Sequence, residues 1–219
     1  MSKLKKRAYK SESRNAQAAQ TKKRILDAAR NLFETEGFEY TTIEKIAQTA
    51  TVAIPTIYSL FQSKVGILRV LMDEVFPKDQ FEALVEKSKE SSSPEERLLY
   101  SAKIARQIYD AERSQMEIFR GAVVLSPEFK ELEKEREKRR YERQEVTIKA
   151  MVKEHSLAPG MSVNKARDIL WVFTGRDIYR MLVIEQGWKP EAYEKWLAEL
   201  LANTLIMRKN RSLSERLAR

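Results

Sequence analysis

The stretch Thr41–Lys64, TTIEKIAQTATVAIPTIYSLFQSK, constrains the possible folds of this chain more than any other. Thr42 supplies a hydroxyl that can cap free backbone N–H groups, and Ile43, Ile46 and Ala47 follow at helical spacing, which predicts a short helix with one apolar stripe. A turn over Ala50, Thr51 and Val52 ends it. Pro55 has no N–H and a fixed φ, so it fits only the first turn of a second helix running from about Ala53 to Phe61, with Ile57 and Phe61 inward. Helices this short cannot bury a core alone, and others must cover them. Periodicity by itself is satisfied equally by a hairpin inside a larger bundle and by a helix-turn-helix that presents its second helix to a partner.

The flanks supply the cover. From about Ala16 to Glu36, Ile25, Ala28, Ala29, Leu32 and Phe33 share one face, Gly37 is placed as a helix stop, and Phe38 packs beneath. After Phe61, Ser63 caps a connecting helix, KVGILRVLMDEVF, which Gly66 weakens and Pro77 closes. Residues 1–14, MSKLKKRAYKSESR, have no helical stripe and are predicted to form a flexible basic arm, suited to lying along a phosphate backbone or in a minor groove. The predicted division is 1–14 arm, 15–62 helix-turn-helix domain, 63–76 connecting helix, 77–210 helical bundle and 211–219 flexible tail.

Beyond Pro77 every segment has the helical period and none the period of a strand. Helices are predicted from about Lys78 to Lys89, from Glu95 to Arg113 after the Ser-Ser-Ser-Pro break, through the apolar run Met116–Leu125, and along a charged helix from Pro127 to about His155. Its middle, ELEKEREKRRYERQE, alternates charge at i, i+3 and i+4, the pattern of a solvated helix surface. Two strongly apolar helices follow the Leu157–Gly160 break, the first interrupted near Gly175, the second carrying Tyr193, Trp196, Leu197, Leu200, Leu201 and Leu205. They provide more apolar surface than one small bundle needs. The fold class is all-α.

Charge and composition narrow the function. The net charge of +9 is lopsided: residues 1–70 carry 13 Lys and Arg against 6 Asp and Glu, whereas residues 71–219 carry 28 against 26. The excess lies on the helix-turn-helix end, where phosphate neutralisation would release counterions. There is no cysteine for a disulfide or thiolate site, and no apolar run approaches a membrane span, which fits a cytoplasmic protein. The one histidine, His155, has no spaced ligand set or Gly-rich phosphate loop near it, so no catalytic residue, metal or cofactor is expected.

Thr41, Thr42, Ile43, Val52, Pro55, Thr56, Ile57, Tyr58, Phe61 and Lys64 together resemble the DNA-binding segment of the TetR family of transcriptional regulators. Gly37 and Phe38 at the exit of the first helix fit the same pattern, which covers roughly residues 20–75; Val65 and Gly66 depart from it, an acidic residue being usual after the lysine. The resemblance implies a homodimer formed by the last two helices, a palindromic double-stranded operator, and release by a small effector. It places Ile54, Pro55, Thr56 and Ser59 in the major groove and Tyr58 and Lys64 on phosphates, with help from Thr42 and its helix N-terminus, and it adds Thr41 to the DNA-binding candidates. The second helix lacks the Arg, Lys, Asn and Gln suited to bidentate base readout, so recognition is predicted to lean on thymine methyls, DNA shape and the basic arm. For a hydrophobic or aromatic effector the candidate lining is Tyr100, Ile104, Ile108, Phe119, Met151, Trp171, Phe173 and Tyr179, residue types that also build plain cores.

Overall fold

The computed structural model describes residues 2–207, with side chains described from Asn15 onward except at 117 and 125. The predicted 211–219 tail lies outside the described residues. In chain order the helices are α1 (Ser2–Glu36), α2 (Ile43–Ala50), α3 (Ile54–Phe61), α4 (Lys64–Val75), α5 (Lys78–Glu90), α6 (Pro94–Ala111), α7 (Met116–Leu125), α8 (Pro127–Lys153), α9 (Val163–Phe173), α10 (Arg176–Tyr179) and α11 (Pro190–Leu205). A 3-10 turn, Arg113–Gln115, precedes α7, and a π-helical segment, Arg180–Glu185, follows α10. No strand forms among the described residues beyond one isolated bridge between Leu157 and Ile206.

Local rules account for most boundaries. Thr42, Ser93 and Ser162 each accept a hydrogen bond from the backbone N–H three residues on, capping α2, α6 and α9. Pro55, Pro94 and Pro190 sit in first turns, where the missing N–H costs nothing. Gly37 leaves α1 at φ +85°, a conformation that side chains with a Cβ resist. The segment expected to be a flexible basic arm is helical from Ser2 and forms the first turns of α1. The stretch holds neither Gly nor Pro, and six of its residues are Lys or Arg, good helix formers, so the helix nucleated further on propagates back through it.

The chain divides into two compact units, and the division is not the contiguous one predicted. The first comprises residues 1–74 and 114–133, the second 75–113 and 134–219. The core of the first is Ile25, Ala29, Phe33 and Phe38 from the α1 end, Ile46, Ile57 and Phe61 from the helix pair, Ile67, Leu68 and Leu71 from α4, and Phe119, Ala122, Phe129 and Leu132 from α7 and the start of α8. Phe38 is the link, its ring centroid 5.4 Å from that of Phe33 and 6.5 Å from that of Phe129. Residues 114–133 thus supply the lid that two short helices and α1 cannot supply themselves.

In the second unit α11 runs along α6. Leu98, Ala102, Ala105, Leu170, Leu197 and Leu201 are buried there around three tyrosines, with Tyr179 5.8 Å from Tyr109 and 5.2 Å from Tyr193. The Tyr109 hydroxyl donates to the Thr174 carbonyl, and burial pushes its pKa up to about 12. The predicted interruption at Gly175 is present: α9 stops at Phe173 and Thr174 turns its hydroxyl back onto the Leu170 carbonyl.

Candidate nucleic-acid interface and effector cavity

The α2–α3 pair has the geometry of a recognition element. Between the helices Thr51 takes a left-handed conformation (φ 54°), and the Val52 N–H returns to the Ala47 carbonyl at 3.0 Å, which closes the turn. Ile57 and Phe61 are buried, fixing one side of α3 to the core. Ile54, Pro55, Tyr58 and Ser59 are left exposed on the other, with Thr56 half-buried and Tyr58 49% accessible. A helix of eight residues that exposes Ile54, Tyr58 and Leu60 carries more apolar surface outward than solvation alone would select. A groove borders it, lined by Gln17, Ala18 and Thr21 of α1 and by Pro55, Thr56, Ser59 and Leu60. These α1 residues were not singled out by sequence; Gln17 is an amide of the type that α3 lacks, and only its position along an unbroken α1 brings it there.

Two of the residues expected at the DNA, Thr41 and Lys64, face inward. Thr41 is buried, and its hydroxyl donates to the Gly37 carbonyl at 2.8 Å, pinning the exit from α1. Lys64 is turned inward: its ammonium donates to the carbonyls of Phe38 at 2.6 Å and Thr41 at 2.8 Å and lies 4.2 Å from the centre of the Phe38 ring. Burial lowers its pKa, with Glu39 pulling the other way. Lys64 therefore ties the α1–α2 turn to the start of α4. Thr42 keeps its place, exposed and capping α2 through the Lys45 N–H, with Glu44 in the same first turn. Of the cations near the α1 start, Lys22 pairs with Glu74 at 3.3 Å, whereas Lys23 and Arg24 are exposed.

The role of Lys64 is measurable. Lys64→Met is expected to lower stability by about 2 kcal/mol, the value of charge-assisted bonds to half-buried carbonyls. Chemical denaturation reads this directly. An unchanged midpoint together with a salt slope of DNA binding shallower by about 1 would show a phosphate ligand instead.

The second unit holds a cavity of about 100 Å³ bounded by α5, α6, α8 and Thr174. Ile104 and Ile108 of the expected effector lining are among its walls; the others are Phe81, Val85, Ala105, Tyr109, Arg140, Arg143, Gln144, Val146 and Thr147 among others. Tyr100, Met151, Trp171, Phe173 and Tyr179 are not among its lining residues, and Met151 and Tyr179 are fully buried in the core. Phe119 belongs to the core of the other unit altogether. Aromatic and aliphatic side chains at helical spacing serve core and cavity alike, and only the packing separates them. Arg140 is held by Glu137, the Trp171 carbonyl at 2.7 Å and the Thr174 hydroxyl at 3.0 Å.

Residues 25–71, the whole helix-turn-helix with the end of α1 and most of α4, match the family profile described as bacterial regulatory proteins, tetR family. These residues carry a TetR-family helix-turn-helix segment. Over 54 residues it is 41% identical to an uncharacterized HTH-type transcriptional regulator, YvkB, of Bacillus subtilis strain 168, a stretch that is 25% of this chain and 29% of that protein. The solved structure of NalD, the secondary repressor of the MexAB-OprM multidrug efflux pump in Pseudomonas aeruginosa, is similar with a TM-score of 0.67 at 20% identity, over 87% of this chain and 98% of NalD. FadR from Bacillus subtilis, solved in complex with stearoyl-CoA, is similar with a TM-score of 0.63 at 21% identity, over 82% and 96%. At such identity these two structures speak for the TetR-like fold: an N-terminal helix-turn-helix unit followed by a helical one. The family that this segment matches is described as one of bacterial regulatory proteins. Among the described residues no helix is long and apolar enough to cross a membrane.

Proposed function

We propose that this TetR-family chain is a cytoplasmic transcriptional repressor that binds a palindromic double-stranded operator as a homodimer and is released by a small effector in the second unit. The observation that carries the proposal is α3, locked by Ile57 and Phe61 with Ile54, Pro55, Tyr58 and Ser59 turned outward in the segment that matches the family. On DNA, Ile54, Pro55 and Thr56 meet thymine methyls, the Tyr58 phenol and the α2 N-terminus beside Thr42 hold phosphates, and the α1 side of the groove adds Gln17 and Thr21. The basic excess of residues 1–70 supplies the salt-dependent share of affinity.

A second copy is the natural cover for the last helices, where Val172, Met181, Ile184 and Trp188 are all at least 37% accessible. Dimerisation pairs two weak contacts on half-sites about 34–36 Å apart, or a multiple. The complex of FadR with stearoyl-CoA supports a small-molecule effector, and the cavity beside Ile104 and Ile108 is its place here. Release then requires that the effector bind the two conformations of the dimer with different affinity.

Selection of bound sequences from random duplex DNA at stated salt tests the whole. Enrichment of a palindrome is the expected result; recovery of no preferred sequence would leave only a nonspecific DNA binder. Ser59→Glu is expected to weaken binding to the selected operator by about 100-fold, because it sets a carboxylate against phosphates on the exposed face of α3. Its melting temperature should be unchanged, Ser59 having nothing to lose in the core. Retained affinity in a gel-shift titration would remove α3 from the interface.

A further inference from the structure

The cavity in the second unit is apolar on one side and cationic on the other. Phe81 and Val85 of α5 with Ile104 and Ile108 of α6 form the apolar wall, Arg140 and Arg143 of α8 the cationic one; Lys89 at the end of α5, paired with Glu86, also lines the cavity, and no Asp or Glu does. The two arginines are not equivalent. Arg140 is consumed by Glu137, Trp171 and Thr174. Arg143 has no carboxylate or carbonyl on its guanidinium among the described residues; it rests over the Phe81 ring, 4.5 Å from the centroid, exposed on its outer side. Burial and then Arg140 lower its pKa, with Arg139 and Arg136 acting in the same sense, yet a guanidinium stays charged at any physiological pH.

An unpaired guanidinium in a positive field, at the rim of an apolar cavity, favours an anion beside it. Gln144 adds a second demand. Its amide donates to the Thr174 hydroxyl at 2.7 Å, while its Oε1 is buried with no donor. The space, about 100 Å³, is that of roughly one aromatic ring.

Building on the effector site proposed above, we propose that this cavity takes a small hydroxylated aromatic carboxylate, its ring against Phe81, Ile104 and Ile108 and its carboxylate paired with Arg143. A bidentate pair at the cavity mouth keeps the anion partly solvated, so its desolvation is not the obstacle it would be in the core. A neutral aromatic of the same shape fills the ring site and leaves Arg143 unanswered.

Isothermal titration of the full-length chain with 4-hydroxybenzoate, 4-hydroxybenzamide and p-cresol tests this. The expected result is that 4-hydroxybenzoate binds about tenfold or more tightly than 4-hydroxybenzamide. Arg143→Gln should abolish that preference at an unchanged melting temperature, and Arg143→Lys should keep some of it. Equal binding of the two probes to the wild type, or a preference that survives Arg143→Gln, overturns the carboxylate assignment. Failure of 4-hydroxybenzoate to bind overturns it as well, and p-cresol then separates the causes: p-cresol bound leaves the effector cavity standing, and p-cresol unbound removes both.

Discussion

Glu112→Ala is expected to destabilise the protein by about 3–5 kcal/mol. Glu112 lies just past the end of α6 and is 1% accessible. One carboxylate oxygen accepts from Arg136 at 3.0 Å, and the other accepts two bonds from Arg176, at 3.0 and 2.9 Å. Its removal leaves two guanidiniums close together without the charge between them. Glu112→Gln keeps the shape and should cost less. Removing one cation as well, as Glu112→Ala with Arg176→Met, should return some of the loss, because the terms are coupled. Urea denaturation decides it: a midpoint unaffected by Glu112→Ala would mean that the cluster contributes nothing net.

Gly66→Ala decides between two opposed arguments. Helix propensity alone says that alanine in the first turns of α4 should stabilise by up to about 1 kcal/mol. The structure says the reverse, because a Cβ at this position would stand 1.8 Å from the carbonyl oxygen of Phe61 and 3.0 Å from its carbonyl carbon. The obstacle is backbone, so no side-chain rotation relieves it, and the end of α3 must shift against α4. A net loss of about 3 kcal/mol is expected, the upper part of the usual range for overpacking. Operator binding should fall further than stability does, since Phe61 closes the recognition helix. A raised melting temperature would show that propensity had won and that α3 and α4 tolerate more separation.

The same position shows what kind of information the sequence holds. Gly66 reads as a weak spot in a helix, and as a departure from the family pattern, until the neighbouring chain is seen. By contrast α2, its turn and α3 were legible almost to the residue, because Thr42 and Pro55 act within one helical turn and Ile57 and Phe61 within two. The inward bonds of Lys64 have no sequence signal: its acceptors at Phe38 and Thr41 are more than twenty residues away, and nothing near a lysine in sequence distinguishes one bound to carbonyls from one bound to phosphate. The cavity was half-legible for a related reason. Ile104 and Ile108 carry the helical period, but Phe81, Arg143 and Gln144 come from other helices, and Arg143 sits in a charge run that sequence assigns to solvent. The junction of α10 with the π-helical segment carries no signature beyond Gly175.

The recognition unit takes its core from two separated stretches of chain, residues 1–74 and 114–133. It is therefore not a portable cassette. A fragment ending at Glu74 would strip Phe38 of Phe129 and leave the Ile25–Phe33 face without Phe119, Ala122 and Leu132, so it should express as an aggregating or partly folded peptide even though it contains every residue of the helix-turn-helix. Grafting this chain's DNA specificity onto another protein requires carrying α7 and the first turns of α8 along with it, or exchanging the exposed face of α3 alone.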